Sequence, residues 1–408
     1  MAIGEKGFEK KHFDALVRYN ESHGDRFLTV QHRKIKFNSY VGVLQVGNLS
    51  IEILPKADKV ENFARWHGAL LTMLHRCRYI RLHSLTEANL TLRSAALIDL
   101  FFDAFLSEVE LLLRLGLVKG YRLEERNQTK LKGRIQFHRH MARNLVHKER
   151  FYTLHQHYDL DIVHNQILRK ALLILSDIVS NATFRMRAKK LLLEFEEVSD
   201  LTVTDNTFTR LKFSRKTEPY RQALNLARLI ILRYNPDLKS GREHLLAILF
   251  DMNKLFEEYV FRILKKEEDQ WTERELSVYA QQSFVFFQER SIRPDIIMEY
   301  KTDAGKSKVI VDTKWKEMTV AKPSIEDLHH MHTYNVQLDV AKSVLLYPKI
   351  NLESGKPEKF APAIGMAKDH YCQLCFAELF DPEGRSIPAA ASGIINDVLS
   401  VDININRI

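Results

Sequence analysis

The stretch Arg293–Lys316, RPDIIMEYKTDAGKSKVIVDTKWK, decides how the chain is read. Two of its apolar runs, IIMEY and VIV, have the composition of strands. Pro294 is tolerated at the start of a strand but not in its middle, so it marks where the first run begins. Between the runs, KTDAGKSK carries Asp303, Gly305 and Ser307, which suits a hairpin connection. An antiparallel pair joined there would bring Asp295, at the mouth of one strand, close to Asp312 near the end of the next. Residues i and i+2 of a strand share a face, so Asp312 and Lys314 point the same way and Thr313 the other.

Two carboxylates and an ammonium at one strand end are awkward without a ligand. Like charges ~4 Å apart repel by about 4 kcal/mol at an effective dielectric near ~20. A divalent cation removes that penalty. Mg²⁺ takes a few carboxylate oxygens plus waters and a substrate phosphate. Asp295, Asp312 and the backbone carbonyl of Thr313 are therefore the expected metal ligands. Lys314 would position the attacking water or stabilise negative charge developing on phosphorus. This is the arrangement that phosphodiester hydrolysis needs. The competing reading is a hairpin with a charged surface, because Pro-Asp followed by acid-x-Lys also arises by chance in average composition.

The flanking segments extend the pattern. HLLAILFDMNKLFEEYVFRILKK reads as one long helix over about 243–266, with Leu245, Leu249, Met252, Phe256, Val260 and Ile263 as its apolar stripe. Glu257 lies about 100° from Phe256 on that helix. At the stripe's margin it is either an extra carboxylate leaning toward the metal or an ordinary boundary residue. Beyond the second strand, Ser324 is the predicted N-cap of a helix running to about Lys342, with Asp327 at its third position. SVLLYP is the strand after it. His330 and Tyr334 share a face of that helix and are spaced to meet a phosphate or the attacking water. His329, His330 and His332 do not repeat at i,i+4, so they do not read as a zinc site.

These residues resemble the PD-(D/E)xK nucleases, and the fuller match is to the McrC family, the nuclease subunits of McrBC modification-dependent restriction systems. LKGRI (Leu131–Ile135) is similar to the family's central Lys-Gly-Arg motif. DLDIVHNQILRKAL (Asp159–Leu172) is similar to its segment with an Asn-containing helix start. MNKLFEEYV resembles its first nuclease helix, RPDIIM and VIVDTKWK its metal-binding strands, and DLHHMHTY the following helix. GVLQVGNLSIEILPK is similar to the β-rich start of longer members. The resemblance covers most of the chain. It implies Asp295, Asp312 and Lys314 as the catalytic set, with His330 and Tyr334 beside them and Mg²⁺ as cofactor; Glu257 is not fixed among relatives, and its place beside the site rests on the helix geometry alone. His330 stands where the family often has Gln; both donate a hydrogen bond, but the charge of His varies with pH.

The resemblance also implies partners: double-stranded, methylated DNA, and a McrB-like AAA+ GTPase that forms a hexameric ring. The N-terminal part would bind that ring and stimulate it. The chain agrees by omission. A P-loop needs G-x-x-x-x-G-K-[ST], and the near miss at Gly305-Lys306-Ser307 has Tyr300 in the first Gly position. Two other readings stand beside the nuclease: a non-catalytic scaffold that activates an NTPase ring, and a standalone DNA repair nuclease.

The bulk properties fit these readings. With 408 residues, two or three domains are expected. The expected fold class is α/β, α+β overall. Residues 1–60 form a β-rich part, 61–240 a mainly helical, partner-binding region with a basic β segment, and 241–408 a restriction-endonuclease-like domain with a mixed sheet flanked by helices. Within the middle region, helices are predicted at 60–80, 92–115, 163–180, 184–198 and 219–234, with a Pro236/Gly241 break after the last. Arg122–Arg150 holds nine basic residues against three acidic ones, most of the chain's net charge of +9. It suits DNA phosphates, an acidic partner surface or a solvated face equally. FHRH (Phe137–His140) reads as surface polar residues rather than a metal site.

Three cysteines are too few for a disulfide framework and suit a reducing cytosol. Cys372 and Cys375 lie in a predicted strand that turns them to opposite sides, as free thiols rather than zinc ligands. The start of the chain lacks a signal-peptide core, and no apolar run approaches membrane-spanning length. A soluble, cytoplasmic protein without membrane association is expected.

Overall fold

The computed structural model describes residues 1–5, 7–56, 62–80, 96–235, 244–302, 305–316, 318, 320–349, 352–361 and 369–400. Helix α1 (Lys10–Ser22) opens the chain. Four strands follow: β1 (Leu28–Gln31), β2 (Lys34–Phe37), β3 (Tyr40–Val46) and β4 (Leu49–Ile53). The strands match the expected β-rich start, but α1 does not. Its apolar positions Ala15, Leu16 and Tyr19 are diluted by charged neighbours, and burial against the strands stabilises it.

The middle region is helical. Helices α2 (Phe63–Arg76) and α3 (Leu97–Leu115) lie where helices are predicted. A three-stranded arm follows, with β5 (Gly120–Gln128), β6 (Arg134–Ile135), the short helix α4 (Phe137–Asn144) and β7 (Phe151–Asp159). The whole basic stretch lies on this arm, and FHRH begins α4. Then come α5 (Val163–Ile178), α6 (Ala182–Leu193), α7 (Asp205–Thr209) and α8 (Arg221–Arg233). Helix α6 stops five residues short of its predicted end, in a series of turns. The predicted Pro236/Gly241 break lies outside the described residues.

One expected helix is half strand. After β8 (Tyr234–Asn235), residues Leu245–Asp251 form β9, and only Met252–Glu267 form a helix, α9. Strand β9 pairs antiparallel with β3, Tyr40 opposite Asp251 and Val46 opposite Leu245. Leu245, Ala247 and Leu249 face the core under α1, while Leu246, Ile248 and Phe250 face the main core. A strand buried on both faces is apolar throughout, so periodicity does not separate it from a helix. Asp251 makes the switch: its Oδ1 accepts from the amides of Asn253 at 3.0 Å and Lys254 at 3.3 Å.

The last third builds a six-stranded sheet. Its elements are β10 (Ser277–Ala280), the separate hairpin β11 (Phe284–Phe287) and β12 (Arg290–Ile292), β13 (Ile296–Thr302), β14 (Gly305–Thr313), helix α10 (Ile325–Gln337), β15 (Lys342–Pro348), β16 (Glu358–Lys359), β17 (Tyr371–Ala377) and helix α11 (Ala390–Ser400). The sheet order is β10-β13-β14-β15-β17-β16. The β14–β15 and β15–β17 pairs are parallel and the others antiparallel. One face carries Val311, Val344, Leu346 and Cys375 into the main core with Phe256 of α9 and Ile395 of α11. The opposite face carries Leu345, Tyr347 and Cys372 against Met331 of α10. The architecture is a mixed α/β fold with a mixed sheet flanked by helices, as the sequence predicts.

Helix α10 ends at Gln337, not near Lys342. Asp339 takes a left-handed φ of 51°, and the Val340 amide donates to Asn335 O at 2.9 Å. The chain thereby turns straight into β15, where Lys342 is buried.

Candidate functional site

Strands β13 and β14 pair from Ile296 opposite Val311 to Thr302 opposite Gly305. Asp303 and Ala304 lie outside the described residues, and Ser307, expected in the connection, pairs within the ladder opposite Tyr300. The register brings Asp295 to the end of β14. The Thr313 amide and Oγ1 donate to Asp295 Oδ2 at 2.8 Å and 3.1 Å. Lys314 Nζ lies 2.7 Å from Asp312 Oδ2 and 3.5 Å from Asp327 Oδ1. Among the described residues Asp312 Oδ2 has no other donor. Three residues separated by up to 19 sequence positions therefore meet at one sheet end.

The electrostatics are those of a crowded acidic site. Asp312 is only 5% exposed. Burial, then Asp295, pushes its carboxyl up to about 7 against the opposing pull of Lys314. Asp295 is also raised, by burial, although the Thr313 hydrogen bonds and Lys314 favour its charged form. Burial disfavours the Lys314 ammonium, yet Asp312, Asp327 and Asp295 together hold its pKa above the ordinary value.

The other sequence candidates divide. Glu257, on α9, is raised by burial and then by Asp295, so it faces the site. It accepts a short hydrogen bond from Gln281 Nε2, and the Gln281 amide donates to Asp295 O at 2.9 Å. Tyr334 is half-buried on α10, with its hydroxyl 3.4 Å from Arg293 O. Burial, then Asp312 and Asp295, pushes that phenol up to about 12. His330 is exposed one turn earlier, and its ring makes no hydrogen bond or ion pair among the described residues.

Sequence reasoning did not single out Gln281, Arg293 or the ionic role of Asp327. Asp327 has a local signal, because Ser324 caps α10 by accepting from its amide at 3.1 Å. Gln281 has none, because its place depends on the turn after β10. Trp315 anchors the segment after the site, its ring 4.9 Å from Phe256 of α9 and 6.2 Å from Trp66 of α2.

Among the described residues no three His, Cys, Asp or Glu side chains gather closely enough to hold a metal by themselves. The Asp295/Asp312 pair still fits a hard cation that takes its other ligands from backbone, water and substrate. Its carboxyls are held above the ordinary carboxylate range, and one ammonium and a hydroxyl do not relieve that. Cys372 and Cys375 are buried free thiols on opposite faces of β17, each pushed up to about 12 by burial. Asn165, in the Asn-containing helix start, is wholly buried and donates to Val118 O at 3.0 Å and Leu160 O at 2.7 Å. It ties α5 to the base of the arm.

A family model described as the McrBC 5-methylcytosine restriction system component matches residues 35–348. The chain belongs to this family. The matched span runs from β2 through β15 and includes both the arm and the Asp295/Asp312/Lys314 site. Among solved structures, one similar chain comes from the refined half-complex of the tetradecameric assembly of Thermococcus gammatolerans McrB AAA+ hexamers with bound McrC. It is 19% identical, with a TM-score of 0.63, over 97% of this chain and 89% of that one. The McrBC family fold thus extends across nearly the whole chain. Another comes from the cryo-EM structure of the Thermococcus gammatolerans McrBC complex, 20% identical over 65% of this chain and 82% of that one, with a TM-score of 0.47. No curated protein matches. Among the described residues no helix is long and apolar enough to cross a membrane.

Proposed function

We propose that the chain is the nuclease subunit of a McrBC-like restriction complex. It hydrolyses phosphodiester bonds of double-stranded, methylated DNA with Mg²⁺ and works with a McrB-like AAA+ GTPase ring. The observation that carries this reading is the convergence of Asp295, Asp312 and Lys314, with Thr313 clamping Asp295 from the next strand. Asp295, Asp312 and the Thr313 carbonyl are the groups that would hold Mg²⁺. When bound, the cation supplies Lewis acidity toward phosphoryl oxygen.

The chain's own residues do the rest. Asp312 and Asp327 orient the Lys314 ammonium, which stabilises charge that grows on phosphorus in the transition state. Thr313 fixes the Asp295 rotamer. Glu257 and Tyr334 border the same space, and Tyr334 stays protonated as a hydrogen-bond donor at neutral pH. His330 is open to solvent and free to meet a phosphate.

The partner reading rests on family membership and on the arm. The similar solved chain belongs to an assembly of McrB AAA+ hexamers with bound McrC. The arm here exposes Tyr121, Leu123, Leu131, Phe137 and Val146 beside its basic residues. A surface both apolar and basic suits a protein partner better than a solvated face.

The test is to measure DNA nicking and partner GTPase side by side for Asp312→Ala. The expected result is retained GTPase stimulation and lost cleavage. Undiminished cleavage would mean that another site does the chemistry. A wild-type chain that stimulates the GTPase but never cuts, with Mg²⁺ and GTP present, would make it a scaffold.

A further inference from the structure

A cavity of about 1380 Å³ lies where α1, α2, α3, α8 and α9 meet. Among the described residues seven arginines border it. Arg26 follows α1, Arg78 follows α2, and Arg215 precedes α8. Helix α8 contributes Arg221, Arg228 and Arg233, and α9 contributes Arg262. Among the described residues only four carboxylates face them. Glu218, Asp205 and Glu258 pair with Arg221, Arg228 and Arg262, each at 2.6 Å, and Glu108 is buried on α3. Arg26 and Arg233 lie against the Phe27 ring, 4.8 Å and 5.8 Å from its centroid. Arg78 and Arg215 are exposed, and their guanidinium groups have no ion-pair or hydrogen-bond partner among the described residues.

Arg78 is also held in an uncommon backbone conformation. Its φ is 62°, in the left-handed region that costs a non-glycine residue of order ~1 kcal/mol. The Arg78 amide donates to His75 O at 3.0 Å, and Gln222 Nε2 donates to Arg78 O at 3.3 Å. These bonds fix the backbone from which the side chain reaches the cavity. The rest of the wall is mixed: Leu111, Leu229 and Leu232 are apolar, His23, Gln222 and Asn225 are polar, and Tyr79 is exposed with its ring 4.7 Å from Phe250.

We propose that this cavity binds a nucleotide-class anion, its phosphates on the guanidinium groups and its base against Tyr79 and the leucine wall. A surplus of planar, forked cations suits phosphate oxygens, which accept paired N–H donors. The volume exceeds that of a usual small-ligand pocket of roughly 300–1,000 Å³, so a nucleoside triphosphate or a short single strand both fit. The site is separate from the Asp295/Asp312 edge. Glu258 and Arg262 turn toward the cavity, while Glu257, about 100° around α9, turns toward Asp295. The inference goes beyond the nuclease reading and does not require it.

The experiment is fluorescence anisotropy on the full chain in EDTA, so that no metal-dependent cleavage occurs. One arm uses a labelled nucleoside triphosphate and the other a labelled single-stranded trinucleotide. Arg78→Gln/Arg215→Gln is compared with wild type, and melting temperatures verify that the fold is kept. The expected result is about tenfold or greater weakening of at least one probe, the loss of two charge-assisted contacts, with a shallower salt dependence of binding. Weakening confined to the triphosphate assigns a free-nucleotide site. Weakening of the trinucleotide assigns a strand site. If the double variant binds both probes as wild type does, or wild type binds neither, the proposal is overturned. The Asp312→Ala cleavage result stands apart from either outcome, so the two readings fail separately.

Discussion

Replacing Asp312 by Asn removes one charge from a crowded buried site and nearly keeps its shape. In the metal-free chain, burial and Asp295 hold the Asp312 carboxyl at about 7, against an ordinary 3.8. The folded chain therefore binds more protons than the unfolded chain between those values. Stability falls as pH rises through that window, and the loss is complete above about 7. Three pH units correspond to about 4 kcal/mol. The favourable pull of Lys314 on the carboxylate is already contained in that value. The expected result in chelator at pH 8 is that Asp312→Asn is more stable than wild type by about 4 kcal/mol. At pH 5 the folded chain keeps the Asp312 proton while the unfolded chain has lost it, so the gap narrows to about 2 kcal/mol and closes only below the ordinary value of 3.8. Urea unfolding at both pH values reads the difference directly. Adding Mg²⁺ should then stabilise wild type at pH 8 and leave the variant unchanged. A variant less stable than wild type by the same margin at both pH values would refute the reasoning, because Asp312 would then be held as a favourable carboxylate.

Three further outcomes are expected. Phe256→Ala should cost about 3–5 kcal/mol in urea unfolding, because Phe256 is fully buried against Trp315; a cost below about 1 kcal/mol would mean that this contact does not anchor the segment after β14. Gly133→Ala should open the arm: Gly133 has φ 74°, and an added Cβ would lie 2.4 Å from Leu154 O and 2.8 Å from His155 Cα. Hydrogen exchange across residues 120–159 should quicken in that variant, and unchanged protection would count against it. Cys77, Cys372 and Cys375 are buried thiols, each pushed up to about 12; since only the thiolate reacts, a thiol-specific reagent at pH 8 should modify none in the native chain and all three after unfolding.

The candidate site was legible to the degree that its signals are local. The hairpin between IIMEY and VIV, the shared side of Asp312 and Lys314, and the Ser324 cap all follow from spacing within a few residues. The buried strand β9 was not legible as a strand. Its seven residues are apolar on both faces because α1 covers one and the main core the other, and neither neighbour is visible in the run itself. The end of α10 was placed too late because Asp339 takes a left-handed turn that no glycine announces.

By itself, the amino-acid sequence determined the strand pair, the cap and the charged groups that the strand ends carry, since backbone geometry and side-chain alternation act over a few residues. Only the tertiary structure decided that Gln281 joins Glu257 to Asp295, that Asp327 shares Lys314 with Asp312, and that arginines from five segments surround one cavity. Those contacts join residues far apart along the chain, and their geometry is set by how sheet and helices pack, which no short window of residues encodes.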